Sequence, residues 1–205
     1  MTVLALDTAS REAAWVVTTD TAGTVINERP LAGGHLDTLL PAVLADVLSA
    51  SIVAVVVLTG PGSYTGVRGG MAAALGVASA RGLPLHGIGS LVAVAAAAAE
   101  PDGRQFLVIA DAGRGGVYCA SFKKHDGRPV QVTAVQRRAI GELGPSTAVY
   151  ATTGLPLPGL SRVNAVAALA AAVPLALAAA PLVAAGLEAT HAEGASMGAP
   201  RAVNP

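Results

Sequence analysis

A β-branched run, Ile52 to Leu58, leads into Thr59-Gly60-Pro61-Gly62-Ser63-Tyr64-Thr65-Gly66-Val67-Arg68, and a helix-forming stretch follows. Glycines between a strand and a helix let backbone N–H groups approach an anion, and the helix dipole favours negative charge there. Ser63 or Thr65 can cap the helix, and Arg68 falls in its first turns. No lysine follows a glycine in the loop, so it is not a Walker-type phosphate loop. Two uses stay open: an anion site, or a tight turn whose glycines permit close backbone packing. Two carboxylates form the second candidate. Asp7 ends the run Val3-Leu4-Ala5-Leu6 and is followed by Thr8; Asp111 ends Leu107-Val108-Ile109-Ala110 and is followed by Ala112 and Gly113. Two such turns facing each other across a cleft would suit a nucleotide phosphate and its metal, while a lone turn aspartate more often bonds its own backbone.

The remaining reactive side chains exclude other chemistries. His35, His86, His125 and His191 are scattered, with neither H-x-x-x-H nor H-E-x-x-H spacing, which argues against a histidine-anchored metal. No G-x-S-x-G elbow occurs, and Cys119 lies inside a strand-like run beside Tyr118, as a core thiol would. A single cysteine forms no intrachain disulfide.

The elements that must position these residues are legible in outline. Strands are expected at Thr2 to Leu6, Ala13 to Thr18 and near Thr24 to Ile26. Leu36, Leu39, Leu40, Val43, Leu44, Val47 and Leu48 recur at helical spacing, with Pro41 a potential kink. Ile52 to Leu58 shows no alternation, as in a strand covered on both faces. In the helix after the glycine loop, Val67, Met71, Leu75 and Ala78 share one face, and Gly82 stands where a left-handed terminator belongs. Pro84 to Ile88 predicts a strand, and Ser90 can cap an alanine-rich helix, Leu91 to Ala99. After the Glu100-Pro101-Asp102-Gly103 break the pattern restarts: strand, Asp, polar turn and a second strand, Val117 to Phe122. This points to a duplicated unit. Pro129 to Val135, Val149 to Thr152 and alanine helices after Ser161 complete it, and the stretch from Glu188 reads as a flexible tail.

The 205 residues suffice for one large domain or two small ones. Aromatics are 3% and much of the apolar content is alanine, so close helix packing is expected in place of large aromatic clusters. Thirteen basic and thirteen acidic residues give zero net charge, which argues against an independent RNA or DNA binder. Ala165 to Leu187 carries no charge, but Pro174, Pro181 and Gly186 interrupt it; a buried or partner-facing helix pair fits better than a membrane span. No basic leader precedes the first strand, so a cytoplasmic protein is expected.

Leu4 to Ala9, Gly60 to Gly70 and Ile109 to Tyr118, in that order and spacing, resemble the TsaB (YeaZ) family, as does His35 with Leu39, Leu40 and Pro41. The resemblance covers about residues 1 to 122. It implies an α/β fold of the actin/Hsp70 ATPase type (ASKHA), with related subdomains at 1–100 and 101–187, the second shortened, and a tail at 188–205. It further implies a non-catalytic subunit in the modification of tRNA to threonylcarbamoyladenosine, binding the transferase TsaD, with the ATPase TsaE recruited through the complex and tRNA reached only indirectly. Under this resemblance no catalytic residue and no metal is assigned, no cofactor is required, and ATP or ADP would sit at a complex interface. Ser90 and Val94 stand where TsaD carries a histidine pair, and valine ligates no metal. The partner surface would comprise Leu36, Leu39, Leu40 and Val43 of one helix and Val67, Gly70, Met71 and Ala74 of the next, and could self-pair into a homodimer. Asp7, Thr8, Asp111 and Gly113 would form any phosphate site, beside the loop Gly60, Pro61, Gly62, Ser63, Tyr64, Thr65, Gly66 and Arg68. Two departures stand out: Ala112-Gly113 displaces Arg114 from the family's usual position, and the C-terminus lacks a P-x-Y-x-R segment. An ATPase or phosphotransferase of the same fold is the alternative, and an M22-type metallopeptidase a remoter one.

Overall fold

The unalternating run IVAVVVL forms β4 (Ile52–Leu58), and its covering on both faces sets the layout of the first half. The computed structural model describes residues 1–10, 12, 14–31, 35–143 and 148–184. β1 (Thr2–Asp7), β2 (Trp15–Asp20) and β3 (Val25–Pro30) form an antiparallel meander; β4 and β5 (Leu85–Ile88) then add parallel to β1. The sheet order is β3-β2-β1-β4-β5. Alternation along β1 sends Leu4 and Leu6 to an outer core, with α1 (Leu36–Val47) and α2 (Tyr64–Arg81), and Val3 and Ala5 to an inner one. Pro41 does not end α1; it lies on the exposed side of the helix, near its first turn.

The second half repeats the order. β6 (Gln105–Gly113), β7 (Gly116–His125) and β8 (Arg128–Gln131) form the antiparallel part; β10 (Val149–Ala151) and β11 (Leu160–Arg162) run parallel to β6, giving β11-β10-β6-β7-β8. The strand expected over Pro129 to Val135 is instead two. β8 ends at Gln131, residues 132 and 133 fold their N–H groups onto the Ser121 carbonyl, and β9 (Gln136–Ala139) pairs the other end of β7. β9 and β11 escape pattern reading because QRRA and LSR carry no apolar alternation. A 3₁₀ turn, Ile140–Glu142, stands where the first half has α1, and the chain from Thr152 to Gly159 stands where it has α2. Apolar side chains Ile140, Leu143, Leu155, Leu157 and Leu160 close the outer core in place of helices.

Each half lends its last helix to the other. α3 (Ser90–Ala97) leaves the first sheet and buries Leu91, Val94 and Ala95 against Phe106, Val108 and Phe122 of the second. α4 (Ala165–Ala178) returns to bury Val166, Leu169 and Val173 against Val3, Ala5 and Val56. The uncharged stretch after Ser161 is therefore one interior helix rather than a helix pair, and Pro174 is accommodated within it. The carbonyl of Ala170, four residues before Pro174, faces Gly23 in the β2–β3 turn, where a Cβ would lie 2.5 Å from its oxygen. Among the described residues no helix is long and apolar enough to cross a membrane. Alanine-rich helix packing dominates as expected, yet Phe106 does form an aromatic cluster, stacking on Phe122 at 6.2 Å and meeting Tyr150 edge-on at 5.7 Å. The tail from Glu188 lies outside the described residues.

Two helix expectations are corrected. Ser90 is not a cap: Gly89 holds that position, Ser90 is the first helical residue, and its hydroxyl is buried without a partner. In α2 the inward face is Gly66, Gly70, Ala74 and Ala78, while Met71 and Leu75 point outward, 37% and 45% exposed. The reason is distance. A Cβ on Gly70 would lie 2.0 Å from Thr8 Oγ1, and one on Gly66 2.0 Å from the Thr8 carbonyl oxygen. Gly70→Ala is therefore expected to destabilise the protein by about 1–3 kcal/mol through overpacking, whereas Met71→Ala stays within ~0.5 kcal/mol. Urea unfolding of both variants checks this; equal midpoints would refute the packing account.

Candidate functional site

The C-terminal ends of β1 and β6 open on one cleft. The Asp7 turn, the loop at Pro61 to Thr65, the start of α3, the β6–β7 turn and Thr152 to Leu155 line a cavity of about 980 Å³. Both sequence-predicted carboxylates reach it, from the two halves, as their equivalent strand positions require. Their local bonding is identical. Asp7 Oδ1 accepts the Ala9 N–H at 2.9 Å, and Asp111 Oδ1 accepts the Gly113 N–H at 2.8 Å. Each carboxylate thus stabilises its own turn. Their surroundings differ: Asp7 is only 6% exposed, whereas Asp111 is exposed. Burial pushes the Asp7 carboxyl up to about 6, against the opposing pull of the Ala9 N–H.

The glycine loop makes a tight turn packed on the first turn of the chain, with Pro61 to Thr65 on the cleft wall. The Ser63 N–H donates to the Ala9 carbonyl at 2.7 Å, the Thr8 hydroxyl to the Gly66 carbonyl at 2.7 Å, and the Gly66 N–H to the Ser63 hydroxyl at 3.4 Å. A Cβ on Gly62 would lie 2.4 Å from the Ala9 carbonyl oxygen. The glycines let the loop press onto residues 8 and 9, and these N–H groups are satisfied within the protein. Gly60, at φ +85°, makes the turn out of β4, and its carbonyl accepts the Ser90 N–H at 2.8 Å. Ser63 is the cap of α2. Arg68 turns away from the cleft; its guanidinium lies 5.1 Å over the Tyr64 ring and donates to that hydroxyl at 2.5 Å.

The residues expected on a partner surface separate into two groups. Leu40, Gly70 and Ala74 are buried in the protein's own outer core and are unavailable to a partner, because α1 and α2 use them to cover the sheet. Leu36, Leu39, Val43 and Val67 are half-buried and Met71 is exposed. Sequence reasoning left Leu75, which is 45% exposed, out of the partner surface, because periodicity records polarity and not the room available. It also missed Arg114 and Tyr118 on the cleft wall; Arg114 has a left-handed φ of 56°, a turn signal visible in Gly113 and Gly115 on either side. His86 is buried, with Nδ1 lacking a partner, and His35 is exposed. Among the described residues no three His, Cys, Asp or Glu side chains come together as a metal site.

A family model described as "TsaD: tRNA N6-adenosine threonylcarbamoyltransferase" matches residues 35–143. An uncharacterized protein of Mycobacterium tuberculosis is 36% identical over 155 residues, spanning 72% of this chain and 71% of its own. The Escherichia coli protein named tRNA threonylcarbamoyladenosine biosynthesis protein TsaB is 34% identical over 134 residues, covering 62% of this chain and 57% of its own. The chain belongs to the TsaB/YeaZ family. YeaZ from Pseudomonas aeruginosa shares the fold, with a TM-score of 0.64 at 23% identity over 86% of this chain and 92% of that one. A second Pseudomonas aeruginosa structure, described as similar to the peptidase YEAZ, gives a TM-score of 0.57 at 23% identity, covering 73% of this chain and 74% of that one. The two five-strand orders and exchanged helices are the ASKHA-like arrangement of this TsaB/YeaZ member.

The buried Asp7 carboxyl yields a pH test. Its folded-state value, about 6, exceeds its ordinary 3.8, so folding binds a proton and stability is highest below the ordinary value. It falls as pH rises from about 4 to about 6 and then levels off, a loss of up to about 3 kcal/mol. Asp7→Asn should raise the melting temperature at pH 7.5 and leave it nearly unchanged at pH 4. A gain equal at both pH values would contradict the assignment.

Proposed function

We propose that this TsaB/YeaZ protein serves in the biosynthesis of threonylcarbamoyladenosine in tRNA as a non-catalytic subunit that binds and supports a TsaD-type transferase. The pathway reading draws on the TsaB relative and on the matching TsaD-type model. The observation that carries the partner reading is the outer face of α2. Tyr64, Arg68, Met71 and Leu75 follow one another at i, i+4, i+7 and i+11, and all are exposed. Half-buried Leu36, Leu39 and Val43 of α1 continue this apolar strip, and Leu36 Cδ2 lies 3.3 Å from where a Gly69 Cβ would stand. Contiguous exposed apolar surface of this kind marks an interaction face. The same strip can pair two copies when the transferase is missing, and a TsaE-type ATPase would join through the complex. Ser90 and Val94 support a non-catalytic role: they sit one turn apart on α3 at the cleft, where the resemblance places the TsaD histidine pair. A protein working on tRNA in this way would operate in the cytoplasm.

A second reading keeps ATP or ADP in the cleft, alone or completed by the partner. The cavity and its two aspartate turns favour it, and Asp7, Asp111 and Gly113 would be nearest the phosphates, whereas Thr8 is buried behind the cavity wall with its hydroxyl on the Gly66 carbonyl. Calorimetric titration of magnesium-ATP into the protein, with and without the transferase, tests this; heat from neither would dismiss it.

The primary test is co-purification with the TsaD-type protein of the same organism, followed by a threonylcarbamoyl transfer assay. A stoichiometric complex and a dependence of transfer on this chain are expected. Met71→Glu combined with Leu75→Glu should keep the fold, since both side chains are exposed, and weaken the complex at least tenfold, about 1.4 kcal/mol. Wild-type affinity in that variant would remove α2 from the interface.

A further inference from the structure

The shortened second half leaves a sheet face without helices. In the first sheet α1 and α2 cover Leu4, Leu6, Val16, Val55 and Val57 on the outer face; in the second, apolar loops reach only Ile109, Val117, Cys119, Val149 and Ala151. The far end of β7 with its partner β8, and β9 beside the near end of β7, stay open. Every residue from Val130 to Ala139 is exposed. Register defines what this face carries. Val117, Cys119, Ser121, Lys123 and His125 of β7 alternate onto the outer side. Pairing places Arg138 opposite Val117, Gln136 opposite Cys119, Val130 opposite Lys123 and Arg128 opposite His125. Paired residues share a face, so Lys123, Arg128 and Arg138 lie together on it. The field of Arg138 at the Cys119 thiol, which opposes the upward push of burial, agrees with that placement.

Among the described residues none of these three cations has a carboxylate partner within 4.0 Å. Gly127 to Gly141 contains three arginines and no acid. Of the nearby acids, Asp102 accepts the Gly127 N–H at 3.0 Å, Glu142 the Ala139 N–H at 3.3 Å and Asp111, level with Arg138 across β7, the Gly113 N–H at 2.8 Å, while Asp126 lies 3.7 Å from His125. The cations span about 26 Å along β7, from the level of Val117 to that of His125 at roughly 3.3 Å per residue. Exposed, unpaired arginines spread along an open strand suit a flexible polyanion, because each neutralised phosphate releases counterions. Net charge zero had argued against such binding; the distribution of charge, not its sum, decides the local potential.

We propose that the outer face of β7, β8 and β9 is an RNA-backbone contact, with Lys123, Arg128 and Arg138 as the phosphate-binding residues. The proposal rests on the tRNA-modification reading for the identity of the polyanion. It supplies a direct contact additional to whatever the transferase makes, weak in the chain alone and without base specificity.

The test is filter binding of labelled unmodified tRNA to the full chain, and to its complex with the TsaD-type partner, from 50 to 200 mM salt. The variant replaces Lys123, Arg128 and Arg138 with alanine; the control replaces Arg81 and Arg162 with alanine. The triple variant should bind tenfold or more weakly at 50 mM salt and lose about 2 to 3 from the salt slope, while the control changes little. An unchanged slope, or an equal loss in the control, would overturn the proposal. So would retained tRNA binding together with loss of binding to polyglutamate, which would make the face an acidic-protein site. Complex formation and transfer, read on the same variants, report separately: a chain that fails to join the transferase defeats the functional reading but leaves the salt-slope result standing.

Discussion

The approach of α2 to the first turn of the chain is the contact on which the rest depends. Gly62, Gly66 and Gly70 allow the loop and helix to press against Thr8 and Ala9 at distances no side chain would permit. Two hydrogen bonds close this contact, from Ser63 to Ala9 and from Thr8 to Gly66. A helix held so near the sheet has room only for alanine further along its inner face, hence Ala74 and Ala78. Larger apolar residues are displaced outward, and this produces the strip at Met71 and Leu75. The glycine loop thus serves as a packing device, and its by-product is an exposed apolar strip on α2.

The exchange of α3 and α4 does for the two halves together what the glycine clamp does within the first. Each sheet needs an inner cover, and each receives it from the other half, so the halves share one continuous interior. Lys124 reinforces the junction, donating to the carbonyls of Ala96 and Ala98 at the end of α3, where a cation is favoured. Glu100 does the same from the linker, accepting from the Tyr150 hydroxyl at 2.8 Å. The cleft is the gap left between strand ends that this crossing holds apart.

Duplication has not kept the halves alike. The first half retains both outer helices and a buried carboxylate; the second replaces the helices with loops and exposes its aspartate. One carboxyl is held toward its neutral form and the other is open to water, although both make the same turn. Loss of the helices also uncovers a sheet face whose side chains are basic, the reverse of the apolar face on the first sheet.

Much of this was legible in the sequence. Local signals located β1, β4, α1, the Ser63 cap and the Gly82 terminator, because each depends on hydrophobic period or backbone conformation within a few residues. The repeat of strand, Asp and turn disclosed the duplication, and three short motifs disclosed the family. The strand at Trp15 started two residues later than expected, and β9 and β11 left no apolar trace. Only the tertiary structure decided which side of α2 faces inward, that α4 is one helix crossing to the other sheet, and that Asp7 is buried while Asp111 is exposed. Those outcomes depend on how closely distant segments approach and on what covers them. A one-dimensional pattern records the polarity of each side chain, but not the space left beside it.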